Sequence, residues 1–181
     1  PPLAVISEDA RQFAVIEPVR GGARLHINRT RPNAFTLEQW MDAYRGVETV
    51  KPGASGQMRC EDALCVARLD GPDGRRRIAY VAAAAEDLSP AGPLSVRELC
   101  AGHDLVIFAK APSLQSCADG TPVLSARMLA LEGAAEIRLN EVGQLTARHA
   151  LPGPLRPWID HRRYARAARN LGDWKPRDND Q

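Results

Sequence analysis

Several things that particular chemistries require are scarce in this chain. Its 181 residues include four histidines, His26, His103, His149 and His161, and no two lie within five positions of each other. A zinc site needs three or four His, Cys or carboxylate ligands drawn together, so no local metal motif is present. There is no G-x-x-x-x-G-K-[ST] phosphate loop and no G-x-S-x-G nucleophile elbow. No apolar run approaches the ~18 residues that read as a membrane-spanning helix. Lysine is limited to Lys51, Lys110 and Lys175, so nearly all the positive charge is arginine. The chain opens Pro-Pro-Leu, with neither a methionine nor a signal-like segment, as expected of a processed product or a piece of a longer protein.

What remains is ordinary globular material: 44% hydrophobic and 25% charged residues, in a length that suits one domain. The net charge of +2 is unevenly spread. Residues 1–150 carry 17 basic and 18 acidic side chains, and residues 151–181 carry 7 and 4. An arginine-rich tail points either to phosphate recognition, which the guanidinium fork suits, or to an arginine-rich composition with no further meaning.

The first part reads as β structure. "LAVI" (3–6) and "QFAVIE" (12–17) flank a polar turn, and "ARLHIN" (23–28) forms a third strand. "TLEQWMDAY" then predicts a helix with Leu37, Trp40, Met41 and Tyr44 on one face, opened by a Thr36–Gln39 capping box. "QMRC" and "CVARLD" are strands around "EDAL", and "GPDG" (71–74) turns into the strand "RRIAYVAA". Ser95 and Glu98 open a second helix that Gly102 closes. "DLVIFAK" (104–110) has the unbroken apolar character of a strand covered on both faces. A third helix spans 125–131, and "AEIRLN" and "QLTARH" finish the sheet. Helices thus separate strands in a hairpin-rich chain. The expected fold is an α/β domain over residues 1–150, with a mixed β-sheet and packed helices. Residues 151–181 form a proline-rich connector and a C-terminal helix from Trp158 to Leu171, whose arginines Arg162, Arg166 and Arg169 line one face with Arg163 nearby.

Two pairs of cysteines invite a structural reading. Cys60 ends one strand and Cys65 begins its antiparallel partner, which puts the two within disulfide reach. Cys100 ends a helix, and Cys117 follows the next strand. The spacing leaves two readings open: two local disulfides in an oxidising compartment, or four buried thiols in a reducing one. His103-Asp104 reads as local capping where a helix gives way to a strand, and the acidic pairs Glu61-Asp62 and Glu86-Asp87 fall in predicted turns.

The ordered series "AFTLEQW", "CEDALCVARLDG", "LCAGHDLVIFAKAP" with Cys117, "EGAAEIRL" and "PGPLRPWIDHRRY" resembles the C-terminal soluble region of ComEC-type competence proteins. These are polytopic inner-membrane proteins thought to pass single-stranded DNA into bacteria during natural transformation. The resemblance runs from about Leu3 to Trp174 and covers only the soluble end of the family's architecture. In many members this region is a metallo-β-lactamase-like domain carrying an H-x-H-x-D-H metal signature, which this chain lacks. The resemblance therefore implies a shortened, metal-free version of that fold, with no cofactor and no catalytic residue carried over. It also implies a periplasmic location on the outer face of the inner membrane, and hence the disulfides Cys60–Cys65 and Cys100–Cys117.

The function expected is a non-catalytic domain that guides DNA or supports the channel. Its partners would be single-stranded DNA and the membrane-embedded part of the same protein. Arg162, Arg163, Arg166 and Arg169 are the expected phosphate contacts, with Trp158 or Tyr164 stacking on bases. Two alternatives stand beside it. One is a metal-dependent nuclease that rebuilt its site from His26, His103, Asp104 or Asp119; the other is a purely architectural interaction domain.

Overall fold

The structure, a computed structural model, describes residues 1–71, 74–88, 94–110, 117–151 and 157–172. It contains two mixed sheets rather than one, and little helix. The first sheet has six strands: β1 (Ala4–Ile6), β2 (Phe13–Val19), β3 (Gly22–Ile27), β4 (Gly46–Val50), β10 (Ala135–Leu139) and β11 (Leu145–His149), in the order β11-β10-β1-β2-β3-β4. The second has five: β5 (Met58–Glu61), β6 (Leu64–Gly71), β7 (Gly74–Val81), β8 (Leu105–Phe108) and β9 (Val123–Ser125), in sequence order. Strands β3 and β4 run parallel, as do β7, β8 and β9; the other pairings are antiparallel.

Period-two alternation explains how the sheets stack. On the first sheet Ala4, Ile6, Phe13 and Val15 face inward, against Met58, Ala67, Ile78 and Ile107 of the second. The other face of the first sheet presents Ala14, Ile16, Leu25 and Ile27 to α1 (Ala34–Ala43), whose Trp40 is buried there. The other face of the second presents Val81, Val106 and Phe108 to α2 (Val96–Ala101) through Leu99 and Cys100. The result is four layers, helix–sheet–sheet–helix. A third helix, α3 (Ala126–Glu132), adds Leu129 to the core between the sheets. The "DLVIFAK" run holds β8, whose four residues are all buried between β7 and β9.

The helix ends follow capping chemistry, with one change. Ser95 Oγ accepts from Glu98 N and Gly102 closes α2; Ser125 Oγ accepts from Met128 N and Gly133 closes α3. The α1 cap is Asn33, not Thr36: Asn33 Oδ1 accepts from Thr36 N at 3.0 Å. A distant contact selects it, because Gln12 Oε1 holds the Asn33 N–H at 2.7 Å. Strand β4 had no sequence expectation. It seats against β3 because Gly22 leaves room for the Arg45 carbonyl, which a Cβ would strike.

Both disulfides are present. Cys60 and Cys65 are register partners with Cα atoms 4.0 Å apart, and Cys100 and Cys117 lie 5.8 Å apart. The tail differs from expectation. Instead of one α-helix from Trp158 to Leu171 it forms two 3₁₀ segments, Pro157–Tyr164 and Ala167–Arg169, ended by Asn170 in the left-handed conformation. Its apolar contact with the domain is small, centred on buried Ala168, and short helices depend on such packing. The connector 152–156 and the residues after 172 lie outside the described residues, as does the centre of the "GPDG" turn.

Candidate nucleic-acid interface

Strands β1, β3, β7 and β8 end at the same side of the sandwich as the β5–β6 turn. The loops there enclose a cavity of about 410 Å³. Tyr80 shapes its wall: the ring stacks on Phe13 with centroids 5.9 Å apart, and the hydroxyl donates to the Ala10 carbonyl at 2.8 Å. Burial pushes the Tyr80 phenol up to about 12, so it stays neutral. Asn28 braces the same loop by accepting from Phe13 N at 2.9 Å and donating to Arg11 O at 3.3 Å. Arg11 is thereby held at the rim. The Cys60–Cys65 disulfide lines the cavity, and Arg29 and Lys110 reach it from the ends of β3 and β8. Arg11, Arg29 and Lys110 are exposed and form no ion pair among the described residues. Among the described residues, Asp62 is the only acidic one in the lining. The whole is a concave, net-positive surface made by loops on a rigid frame, a usual setting for binding sites.

A second hollow, of about 610 Å³, adjoins it, and Arg11 lines both. It lies between the β1–β2 loop, α3 and the tail. The tail arginines take different roles here. Arg162 is turned into the domain, its side chain only 15% exposed. It pairs with Glu8 at 2.8 Å and donates to the Ala130 and Leu129 carbonyls at 3.0 and 3.4 Å. Those carbonyls belong to the last turn of α3, where a cation is favourable. Arg162 is thus a docking contact and leaves the others. Arg163 pairs with Asp160 at 3.1 Å, Arg166 donates to the Gly172 carbonyl at 2.8 Å, and Arg169 is exposed. The single stripe Arg162–Arg166–Arg169 does not form, because a 3₁₀ turn holds three residues rather than 3.6. Tyr164 is 70% exposed beside the second hollow. The Trp158 side chain lies outside the described residues.

The four groups of the nuclease alternative are engaged locally. His26 is 2% exposed, with Nδ1 on Ser55 Oγ and Nε2 on Glu17 Oε2, both at 2.8 Å. His103 Nδ1 bonds the Leu99 carbonyl at 2.7 Å, and burial pushes the ring below its ordinary 6.5. Asp104 accepts the Arg77 backbone N–H at 2.7 Å. Asp119 accepts from Thr121 N at 3.0 Å, which holds it below its ordinary value. Among the described residues, the one cluster of three such ligand atoms is Cys100, Cys117 and Asp119, and both sulfurs there are spent in a disulfide.

Arg11, Arg29 and Lys110 escape sequence reasoning because they are scattered over a hundred positions. Each lies in a loop beside the end of a strand, Arg29 and Lys110 just after β3 and β8 and Arg11 just before β2, which by itself says nothing of their meeting. No protein-family model matches the chain, and no curated protein or solved structure matches it either. No described helix is long and apolar enough to cross a membrane.

Proposed function

We propose that the chain is a non-catalytic periplasmic domain of a ComEC-type inner-membrane protein of DNA uptake, and that it guides single-stranded DNA. The observation that carries the DNA reading is the unpaired set Arg11, Arg29 and Lys110 around one cavity, continuous through Arg11 with the hollow under the tail. Such a surface attracts phosphates without reading sequence. Tyr164 at the neighbouring hollow supplies an exposed ring for stacking. The helix–sheet–sheet–helix layering supports a shortened metallo-β-lactamase-like fold, and two disulfides support an oxidising compartment. The family assignment itself rests on the ordered segments of the sequence.

Fluorescence anisotropy with a labelled oligonucleotide, read at several salt concentrations, tests the reading. Three phosphate contacts give a log–log salt slope of about −2 on single strands. Changing Arg11, Arg29 and Lys110 together to Gln should abolish most of that binding. Arg162→Ala should disturb tail docking instead. Absence of binding at low salt would leave the architectural role.

A further inference from the structure

The outer face of the second sheet changes character along its length. Beneath α2 it is apolar, with Ala79, Val81, Val106 and Phe108. Beyond α2 the same face carries Arg68 and Arg77, which stand directly opposite each other in the β6–β7 register, with Arg59 nearby on β5. Like charges opposed across a ladder destabilise it. The acids in the neighbourhood are occupied: Glu61 lies 3.9 Å from Arg59, Asp70 pairs with Arg75 at 3.5 Å, and Asp104 takes the Arg77 backbone N–H. Arg68 has no ion-pair partner among the described residues. The three arginines line a hollow of about 300 Å³ with Val66, and among the described residues no carboxylate lines it.

The opposite wall is the loop 51–57, through Gly53, Ser55 and Gly56. That loop is anchored from within. Ser55 Oγ is held by the buried ring of His26, which Glu17 holds in turn, and Gly53 N donates to Met58 O at 3.1 Å. Two glycines keep side-chain bulk out of the space facing the arginines. The hollow shares no lining residue with the strand-end cavity.

We propose that this hollow binds a phosphate monoester or inorganic phosphate, with Arg68 and Arg77 as its main contacts and Arg59 at its rim. A dianion with several acceptor oxygens suits converging guanidinium forks, and neutralises an opposed pair that forms no ion pair of its own among the described residues. The inference does not depend on DNA guidance. Free phosphate, a mononucleotide and the 5′-phosphate of a strand share the required chemistry.

Calorimetric titration of the whole chain at low ionic strength separates these sources. The probes are inorganic phosphate, adenosine 5′-monophosphate, and one oligonucleotide with and without a 5′-phosphate. Binding of at least one phosphate-bearing probe, weakened at least about tenfold in Arg68→Gln, is expected. The Arg11, Arg29 and Lys110 variant should leave that binding intact, so failure here and failure of DNA guidance are distinct results. A thermal readout accompanies it. Without ligand, Arg68→Gln should raise the melting temperature by relieving the opposed charges; inorganic phosphate should then raise the melting temperature of the native chain but not of the variant. No heat with millimolar inorganic phosphate, adenosine 5′-monophosphate or the 5′-phosphorylated oligonucleotide would overturn the proposal. So would equal phosphate binding by the native chain and an Arg68→Gln, Arg77→Gln double variant. Equal dependence on Arg68 for the two oligonucleotides would also overturn it, since the site would then read internal phosphodiesters.

Discussion

On the first sheet Arg24 lies 2.7 Å from Glu48 and 3.2 Å from Glu17, whereas on the second Arg68 stands opposite Arg77 with no carboxylate among the described residues bonded to either guanidinium. The first sheet also pairs Arg138 with Glu136 through two N–H groups, at 3.0 and 2.7 Å, and His26 with Glu17. The pairs made by Arg24 and His26 cross between strands, and Arg138 and Glu136 pair within one. The second sheet leaves positive charge unspent and is braced covalently instead, since both disulfides belong to it or to the layer over it. Paired charge is charge used by the fold; unpaired charge, held where repulsion costs stability, is where a ligand is to be sought.

The largest effect expected is from packing. Phe108 is 1% exposed, at the end of β8 in the second sheet and packed under α2. Phe108→Ala should cost about 3–5 kcal/mol in urea melts. Trp40→Ala, in the matching layer over the first sheet, should fall toward the lower end because its side chain keeps 7% exposure at the edge of its layer. A loss below about 1.5 kcal/mol for Phe108 would mean that the α2 layer closes over the gap and the two sheets are not braced alike.

The disulfides come next. By loop-closure entropy, removing Cys100–Cys117, which spans 17 residues, should cost about 3 kcal/mol, and removing Cys60–Cys65, which spans 5, about 2 kcal/mol. Paired Cys→Ala variants, compared by denaturant unfolding, give the difference. Amide exchange should rise first in the second sheet, and an equal rise in both would mean that the disulfides brace the two sheets alike.

Acid should separate the regions by pH. The hydrogen bond from His26 holds Glu17 below its ordinary 4.5; burial opposes the same shift in Glu136, where hydrogen bonds from Arg138 and Tyr44 prevail. A carboxylate with a depressed folded pKa adds stability that is present above its unfolded value and lost as pH falls through the folded one. The first sheet should therefore weaken below about 4.5. His103 is depressed by burial from 6.5, so its unfolded form binds the proton more readily. Its corner, between α2 and β8, should begin to weaken once pH falls below about 6.5. Urea melts from pH about 7 down to about 5.5 should show a small slope that His103→Gln removes. An unchanged slope in that variant would leave His103 out of the acid response.

The smallest effect differs in sign between the sheets. Arg24→Gln breaks two ion pairs near the surface and should destabilise slightly. Arg68→Gln should stabilise the unliganded chain by a similarly small amount. Thermal melts of the two variants side by side measure this, and the same sign in both would remove the distinction between spent and unspent charge.

Local chemistry was legible in the sequence wherever neighbours along the chain decide the outcome. The Ser95 and Ser125 helix starts, the buried "DLVIFAK" strand and the final hairpin each follow from spacing or from side chains a few positions apart, whereas the Cys60–Cys65 spacing left a disulfide and two buried thiols both open. The α1 start escaped by three residues because the selecting contact comes from Gln12, far back in the chain. Strand β4 escaped because its edge position and parallel partner leave it half exposed, without a clean alternation. The tail escaped because amphipathic spacing describes an α-helix, while a helix this short takes its form from the surface it meets.

The sequence by itself determined most of the strands, many of the residues that face a core, that a disulfide framework is available, and that no local catalytic or metal motif exists. Only the tertiary structure decided that the strands divide between two sheets, since alternation marks two faces but does not say which sheet a face belongs to. It alone gathered Arg11, Arg29 and Lys110 at one end and set Arg68 against Arg77 on one face. It also took Arg162 out of the expected phosphate contacts by burying it against Glu8 and the end of α3. Charge acts through space over a few ångströms, and which charges come that close is a property of the folded chain.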